Sequence, residues 1–190
     1  MDSLLISTGV VALAEIGDKT QLLAFLLAAR FKKPLPIILG ILVATIFNHA
    51  LAGALGAWIT TVISPELLRW ILGGSFIAMA IWTLIPDEIE EEETQIAKQF
   101  GVFGATLITF FLAEMGDKTQ VATVAMAAHF SNALFVVAGT TLGMLIADIP
   151  AVFIGNKFAS KIPMKLVHSV AAAIFAILGL LTLFKVEEYF

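Results

Sequence analysis

Six times along its length the chain stays largely apolar for about as long as a helix needs to cross a bilayer. Spanning about 30 Å of hydrocarbon takes roughly 20 helical residues. The stretches cover residues 4–29, 35–59, 66–85, 101–128, 133–156 and 164–184. Hydrophobic residues make up 59% of the 190, and mean hydropathy is +0.98. A small water-soluble domain has too little interior to hide that surface. The expected fold is therefore an all-α polytopic membrane protein of six transmembrane helices, since helices satisfy their own backbone groups in lipid.

What the chain lacks narrows the function. It has no cysteine, which removes disulfides, thiolate metal sites and cysteine nucleophiles. Net charge is −4, and six of the fifteen acids crowd into "PDEIEEEE" at 86–93, so there is no basic face for nucleic acid. The opening "MDSLLIS" carries an acid and no base, so the first span is expected to stay in the mature protein rather than be cleaved as a signal peptide. Pro34, Pro36, Pro65, Pro86 and Pro163 fall at span ends, whereas Pro150 lies inside the fifth. Ala52 with Gly56, and Gly139 with Gly143, have the four-residue spacing that lets membrane helices approach closely.

Lysine and arginine set the orientation. Arg30, Lys32, Lys33, Lys98, Lys157, Lys161 and Lys165 fall on one side, against Arg69 and Lys185 on the other. Positive charge marks the cytoplasmic side. The acidic 86–99 connection is then cytoplasmic, both termini are external, and the expected location is the cytoplasmic (inner) membrane.

Two strings interrupt the apolar pattern: "ALAEIGDKTQ" at 12–21 and "FLAEMGDKTQ" at 111–120. Glu15 and Glu114 are 99 residues apart, and the same offset aligns "AARF" at 28–31 with "AAHF" at 127–130 and Gly40 with Gly139. The chain thus reads as a three-span repeat at 1–85, the acidic connection at 86–99, and a second three-span repeat at 100–190. An odd number of spans inverts the second copy, which predicts two opposed halves about a pseudo-two-fold axis in the membrane plane. Matching elements then reach one depth from opposite sides.

Glu15 with Asp18, and Glu114 with Asp117, have the spacing of neighbours on one helix face and are the expected metal ligands. Lys19 and Lys118 follow each glutamate by four residues and are placed to offset its charge or gate the site. Gly17 and Gly116 permit either close helix approach or a local break. Thr20, Gln21, Thr119 and Gln120 extend the polar patch. A charge within the membrane costs at least about 2.5 kcal/mol on insertion scales. An interhelical polar contact returns only about 1 kcal/mol. Packing alone is therefore a poor reason to duplicate such a cluster, and a cation or proton path is the better one.

The second spans add Asn48 and His49, whose offset partners are Ala147 and Asp148. Asn48, His49 and Asp148 form a candidate supporting site. Pro150 has no N–H for the Ile146 carbonyl, which leaves an oxygen near Asp148. His49 is read as a ligand, a proton relay or a hydrogen-bonding partner; His129 and His168 are read as structural.

The paired strings resemble the hallmark of the UPF0016 family, also called the GDT1 or TMEM165 family of cation transporters. That hallmark is two copies of Glu-x-Gly-Asp-Lys/Arg-Ser/Thr, matched at every position by Glu15–Thr20 and Glu114–Thr119. The resemblance covers essentially the whole chain, which looks like a compact prokaryotic member without a longer N-terminal targeting region. It implies export of a divalent cation, Mn²⁺ first and Ca²⁺ as the alternative, in exchange for protons, with the motif acids as ligands and no prosthetic group. Carboxylate and carbonyl oxygens suit Mn²⁺, Ca²⁺ and Mg²⁺ alike, and no thiolate or histidine cluster favours zinc or copper. The partners are then the metal ion, protons and the bilayer; oligomeric state is not legible. An intramembrane hydrolase lacks any HExxH, cysteine nucleophile or GxSxG elbow, whereas a divalent cation channel uses the same acids and is separable only by transport behaviour.

Overall fold

The computed structural model describes residues 1–85, 100–154 and 164–184, with side chains left out at 154 and 164–168. The acidic connection, Pro86, Lys98, Lys157, Lys161, Pro163 and Lys185 lie outside the described residues, as do the side chains of Lys165 and His168. Every described element is α-helical: α1 (Asp2–Glu15), α2 (Lys19–Phe31), α3 (Pro34–Val62), α4 (Pro65–Trp82), α5 (Gly101–Glu114), α6 (Lys118–His129), α7 (Ala133–Ile154) and α8 (Met164–Leu183). Pro34 and Pro65 open α3 and α4, where a missing N–H costs nothing.

Among the described residues the six apolar stretches give eight helices, because the first member of each half breaks at its motif. Among the described residues, two helices are long and apolar enough to cross a bilayer by length and composition alone, Pro34–Val62 and Ala133–Phe153. The breaks cut the 4–29 and 101–128 stretches into pieces of 12 to 14 residues. Pro150 sits within α7, which continues past it to Ile154.

The helices pair across the halves. α3 of the first half packs on α5 and α6 of the second, α7 of the second packs on α1 and α2 of the first, and α4 packs on α8. The contacts repeat residue by residue. A Cβ added at Gly40 would stand 2.7 Å from Thr106 Cβ and 3.0 Å from the Phe103 carbonyl oxygen. One added at Gly139 would stand 3.0 Å from Ser7 Cβ and 2.5 Å from the Leu4 carbonyl oxygen. Each partner pair is separated by the same offset of 99 as the glycines themselves. The same patch meets its counterpart with roles exchanged, as a two-fold relation requires. Gly143 brings α7 equally close to α1, where a Cβ would be 2.7 Å from the Thr8 carbonyl oxygen.

Polarity runs from inside to outside in the reverse of a water-soluble protein. Phe47, Leu51, Leu55 and Trp58 of α3 and Leu134, Phe135, Leu142 and Ile146 of α7 are exposed. Glu15, Asp18, Asn48, His49, Glu114, Asp117, Lys118 and Asp148 are buried. Water would reward the opposite arrangement; lipid rewards this one. Two apolar clusters flank the polar interior, one including Val11, Phe76, Met126 and Phe175, the other Leu23, Ile41, Phe110 and Val152.

Candidate cation site

The site begins at the two helix breaks. Glu15 ends α1, Ile16 turns to φ −63 and ψ 116, and Gly17 takes φ 86; Met115 and Gly116 repeat this with φ −62 and ψ 117, then φ 77. A positive φ is easy for glycine and costly for other residues, so this position makes the break available. Asp18 and Asp117 are then the N-cap residues of α2 and α6. The expectation that Glu and Asp share one continuous helix face is therefore corrected: they stand on either side of an interruption.

The interruption leaves few backbone groups exposed to lipid. The Asp18 N–H donates to the Glu15 carbonyl at 3.0 Å, and the Asp117 N–H to the Glu114 carbonyl at 3.1 Å. Gly17 N–H donates to Gln21 Oε1 at 2.9 Å, and Gly116 N–H to Gln120 Oε1 at 2.7 Å. The motif threonines reach back across the break: Thr20 donates its hydroxyl to Glu15, and Thr119 to Glu114 at 2.9 Å. Each motif thus supplies its own means of satisfying a broken helix.

The lysines join the two copies. Lys118 Nζ donates to Asp18 Oδ1 at 2.7 Å, with both side chains fully buried. Lys19 Nζ lies 3.9 Å from Asp117 Oδ1, and the Lys19 side chain is 24% exposed. Each lysine therefore pairs with the aspartate of the opposite half, rather than with the glutamate four residues before it. Glu15 also lies within electrostatic range of Glu114, Asp117 and Asp148, and Glu114 within range of Asp18 and Asp148. Five carboxylates from two halves thus share one interior.

Several oxygens in this interior accept no hydrogen bond: Glu15 Oε2, Glu114 Oε1, Asp117 Oδ2, both Asp148 oxygens and Asn48 Oδ1. Buried acceptors left this way are uncommon in folded proteins and suit a cation or proton. Among the described residues, no three acidic or histidine side chains are drawn together tightly enough to hold a metal ion. Asn48 Nδ2 donates to the Phe111 carbonyl at 3.1 Å, tying α3 to the second motif. Gln21 Nε2 donates to the Ala147 carbonyl at 2.9 Å, tying α2 to α7 beside Asp148. His49 is fully buried with neither ring nitrogen hydrogen-bonded. His129 packs edge-on to Phe76 and Phe130.

Sequence reasoning passed over Thr45 and Thr141. Both are buried with hydroxyls lacking a partner. Thr45 lies three and four residues before Asn48 and His49, and Thr141 lies two turns before Asp148. Helical periodicity read outward from those polar residues was the available signal.

Crossed ion pairs between interrupted helices, with free carboxylate oxygens around them, are the construction of a membrane cation carrier. The chain belongs to the GDT1 family, described as "Divalent cation/proton antiporter GDT1", whose profile matches residues 3–91 and 102–189. It is thus a transporter of divalent cations across a membrane, not an enzyme. A Vibrio cholerae protein described as "Putative manganese exporter" is 50% identical over 185 residues, covering 97% of this chain and 92% of that one. GDT1-like protein 3 of Oryza sativa subsp. indica is 30% identical over 214 residues, covering 100% of this chain and 74% of that one. GDT1-like protein 3 of Arabidopsis thaliana is 29% identical over 215 residues, covering 100% of this chain and 71% of that one. No solved structure matches.

Proposed function

We propose that the protein exports Mn²⁺ from the cytoplasm in exchange for protons, through one central site that both motifs build. In this reading six spans form two inverted halves, 1–85 and 100–190, joined by a cytoplasmic 86–99 connection, with both termini outside an inner membrane. Glu15, Asp18, Glu114 and Asp117 ligate the metal, while Asn48, His49 and Asp148 support them. The observation that carries the proposal is the crossing of the motifs, with Lys118 on Asp18 and Lys19 facing Asp117. Carboxylates that exchange partners between halves form one site rather than two. The choice of manganese draws on the Vibrio cholerae relative's description and on an oxygen-only donor set that suits Mn²⁺.

The cycle follows from competition. Facing the cytoplasm, the ionised acids take a partly dehydrated metal. The protein then closes that entrance and opens the outer one, where protons displace the metal and return inward on the same acids. Proteoliposomes with inside-out protein and a controlled pH gradient test this. Saturable Mn²⁺ uptake into the lumen, faster when the lumen is acidic, is the expected result. Glu15→Gln and Glu114→Gln abolish the gradient-dependent part. Efficient Ca²⁺ uptake with negligible Mn²⁺ uptake overturns the metal assignment. Mn²⁺ flux indifferent to the gradient at clamped voltage overturns proton exchange and favours a channel or uniporter.

A further inference from the structure

We infer that the two motif lysines are tethered cations that seal the shared site in turn, and that the Lys118–Asp18 pair is the closed seal in this conformation. The inference rests on the shared-site reading above and adds what the lysines do there. Its ground is an inequality between two pairs that the sequence makes equivalent. Lys118 and Asp18 stand 2.7 Å apart without solvent access, while Lys19 and Asp117 stand 3.9 Å apart with the lysine partly exposed.

The surroundings differ in the same sense. Around Asp18, Gln21 is 7% exposed and reaches across to the Ala147 carbonyl. Around Asp117, Gly116 is exposed, Met115 is 58% exposed and Gln120 is half-buried. One aspartate is closed in by its neighbours, and the other lies on the looser side.

A divalent ion binds carboxylate oxygen at about 2.0 to 2.6 Å. An ammonium already at 2.7 Å from Asp18 Oδ1 would meet that ion at close range with like charge. The metal cannot take Asp18 until Lys118 swings away, which its four-carbon stem permits. Under the two-fold relation, the opposite-facing conformation exchanges the roles: Lys19–Asp117 closes and Lys118–Asp18 loosens. Before the metal arrives, one aspartate is held by the protein while the other stands open to it. An internal cation thus keeps an ionised aspartate from being buried as a bare charge when neither metal nor proton occupies it.

The test is Mn²⁺ binding to purified, monodisperse protein in detergent, read from the free-Mn²⁺ paramagnetic resonance signal. Lys118→Gln leaves Asp18 without its competitor and should bind Mn²⁺ at least about tenfold tighter than the unaltered protein, while its flux in proteoliposomes falls at least about tenfold. Lys19→Gln, removing the looser partner, should change affinity by less than about threefold. Lys118→Arg keeps the charge and should return affinity toward the unaltered value. Unchanged or weaker binding in folded Lys118→Gln, or equal shifts in both glutamine variants, overturns the seal. A second measurement leaves the lysines intact. Because the chain has no cysteine, Gln21→Cys and Gln120→Cys report the two sides separately. Position 120 should label at least about tenfold faster with a water-soluble maleimide, as expected of the more open side. Equal rates overturn the seal. Asp18→Asn binding Mn²⁺ with unaltered affinity would instead refute the shared site on which the seal depends.

Discussion

The two motif copies differ at two of their ten positions, Ala12 against Phe111 and Ile16 against Met115. Their breaks have nearly the same backbone angles, and their threonines and glutamines make the same return bonds. Yet the ion pair at Asp18 is short and fully buried, while that at Asp117 is longer, with its lysine partly exposed. So similar a pair of sequences is a weak source for the difference. On the proposed cycle conformation is the stronger one, because a duplicated chain with one lopsided arrangement would have a second, lopsided the other way.

The sharpest way to break this comparison is to delete each lysine and measure stability in detergent without metal. Lys118→Ala takes the cation away from the fully buried Asp18 carboxylate and should cost about 3–5 kcal/mol. Lys19→Ala removes a longer, partly exposed pair and should cost no more than about 1 kcal/mol. Equal losses in unfolding experiments would mean that the two sides are equally sealed.

A smaller effect separates the supporting residues. Asp148 and His49 occupy equivalent places in the two halves, and Asp148 lies within electrostatic range of both glutamates. Asp148→Asn should weaken Mn²⁺ binding about tenfold, or about 1.4 kcal/mol, and His49→Gln less than about threefold. A greater loss at His49, measured by Mn²⁺ titration, would move the site toward α3.

A last substitution tests the breaks themselves. Gly116 has φ 77, and a Cβ added there would have no neighbour within 4 Å, so Gly116→Ala meets only backbone strain. It should cost about 1–2 kcal/mol in thermal unfolding. A neutral result would show that the second break readily relaxes.

Much of this was legible in the residues. The apolar stretches, the 99-residue offset and the improbable acids were enough to expect helices, a duplication and a cation path. The break was not, because glycine between two acids serves a tight helix contact as well as an interruption. The crossing was hidden for a related reason. In an unbroken helix, Lys19 and Lys118 would lie one turn from Glu15 and Glu114, and local geometry would pair them there. Once Gly17 and Gly116 turn the chain, those glutamates bond to threonine and the lysines reach the other half. Thr45 and Thr141 escaped notice because a lone threonine in an apolar helix looks like ordinary packing.

The glycine contacts carry a mechanical consequence. Gly139 and Gly143 seat α7 against the backbone of α1, and Gly40 seats α3 against α5. Backbone pressed on backbone has little room to slide, so the units that move together are not the units that were duplicated. Each pairs a central helix of one copy with a half-helix of the other, like two hands clasped with the fingers alternating. On the proposed cycle, any shift that opens one entrance then draws on both halves of the polypeptide at once, which ties the fate of the first motif to that of the second.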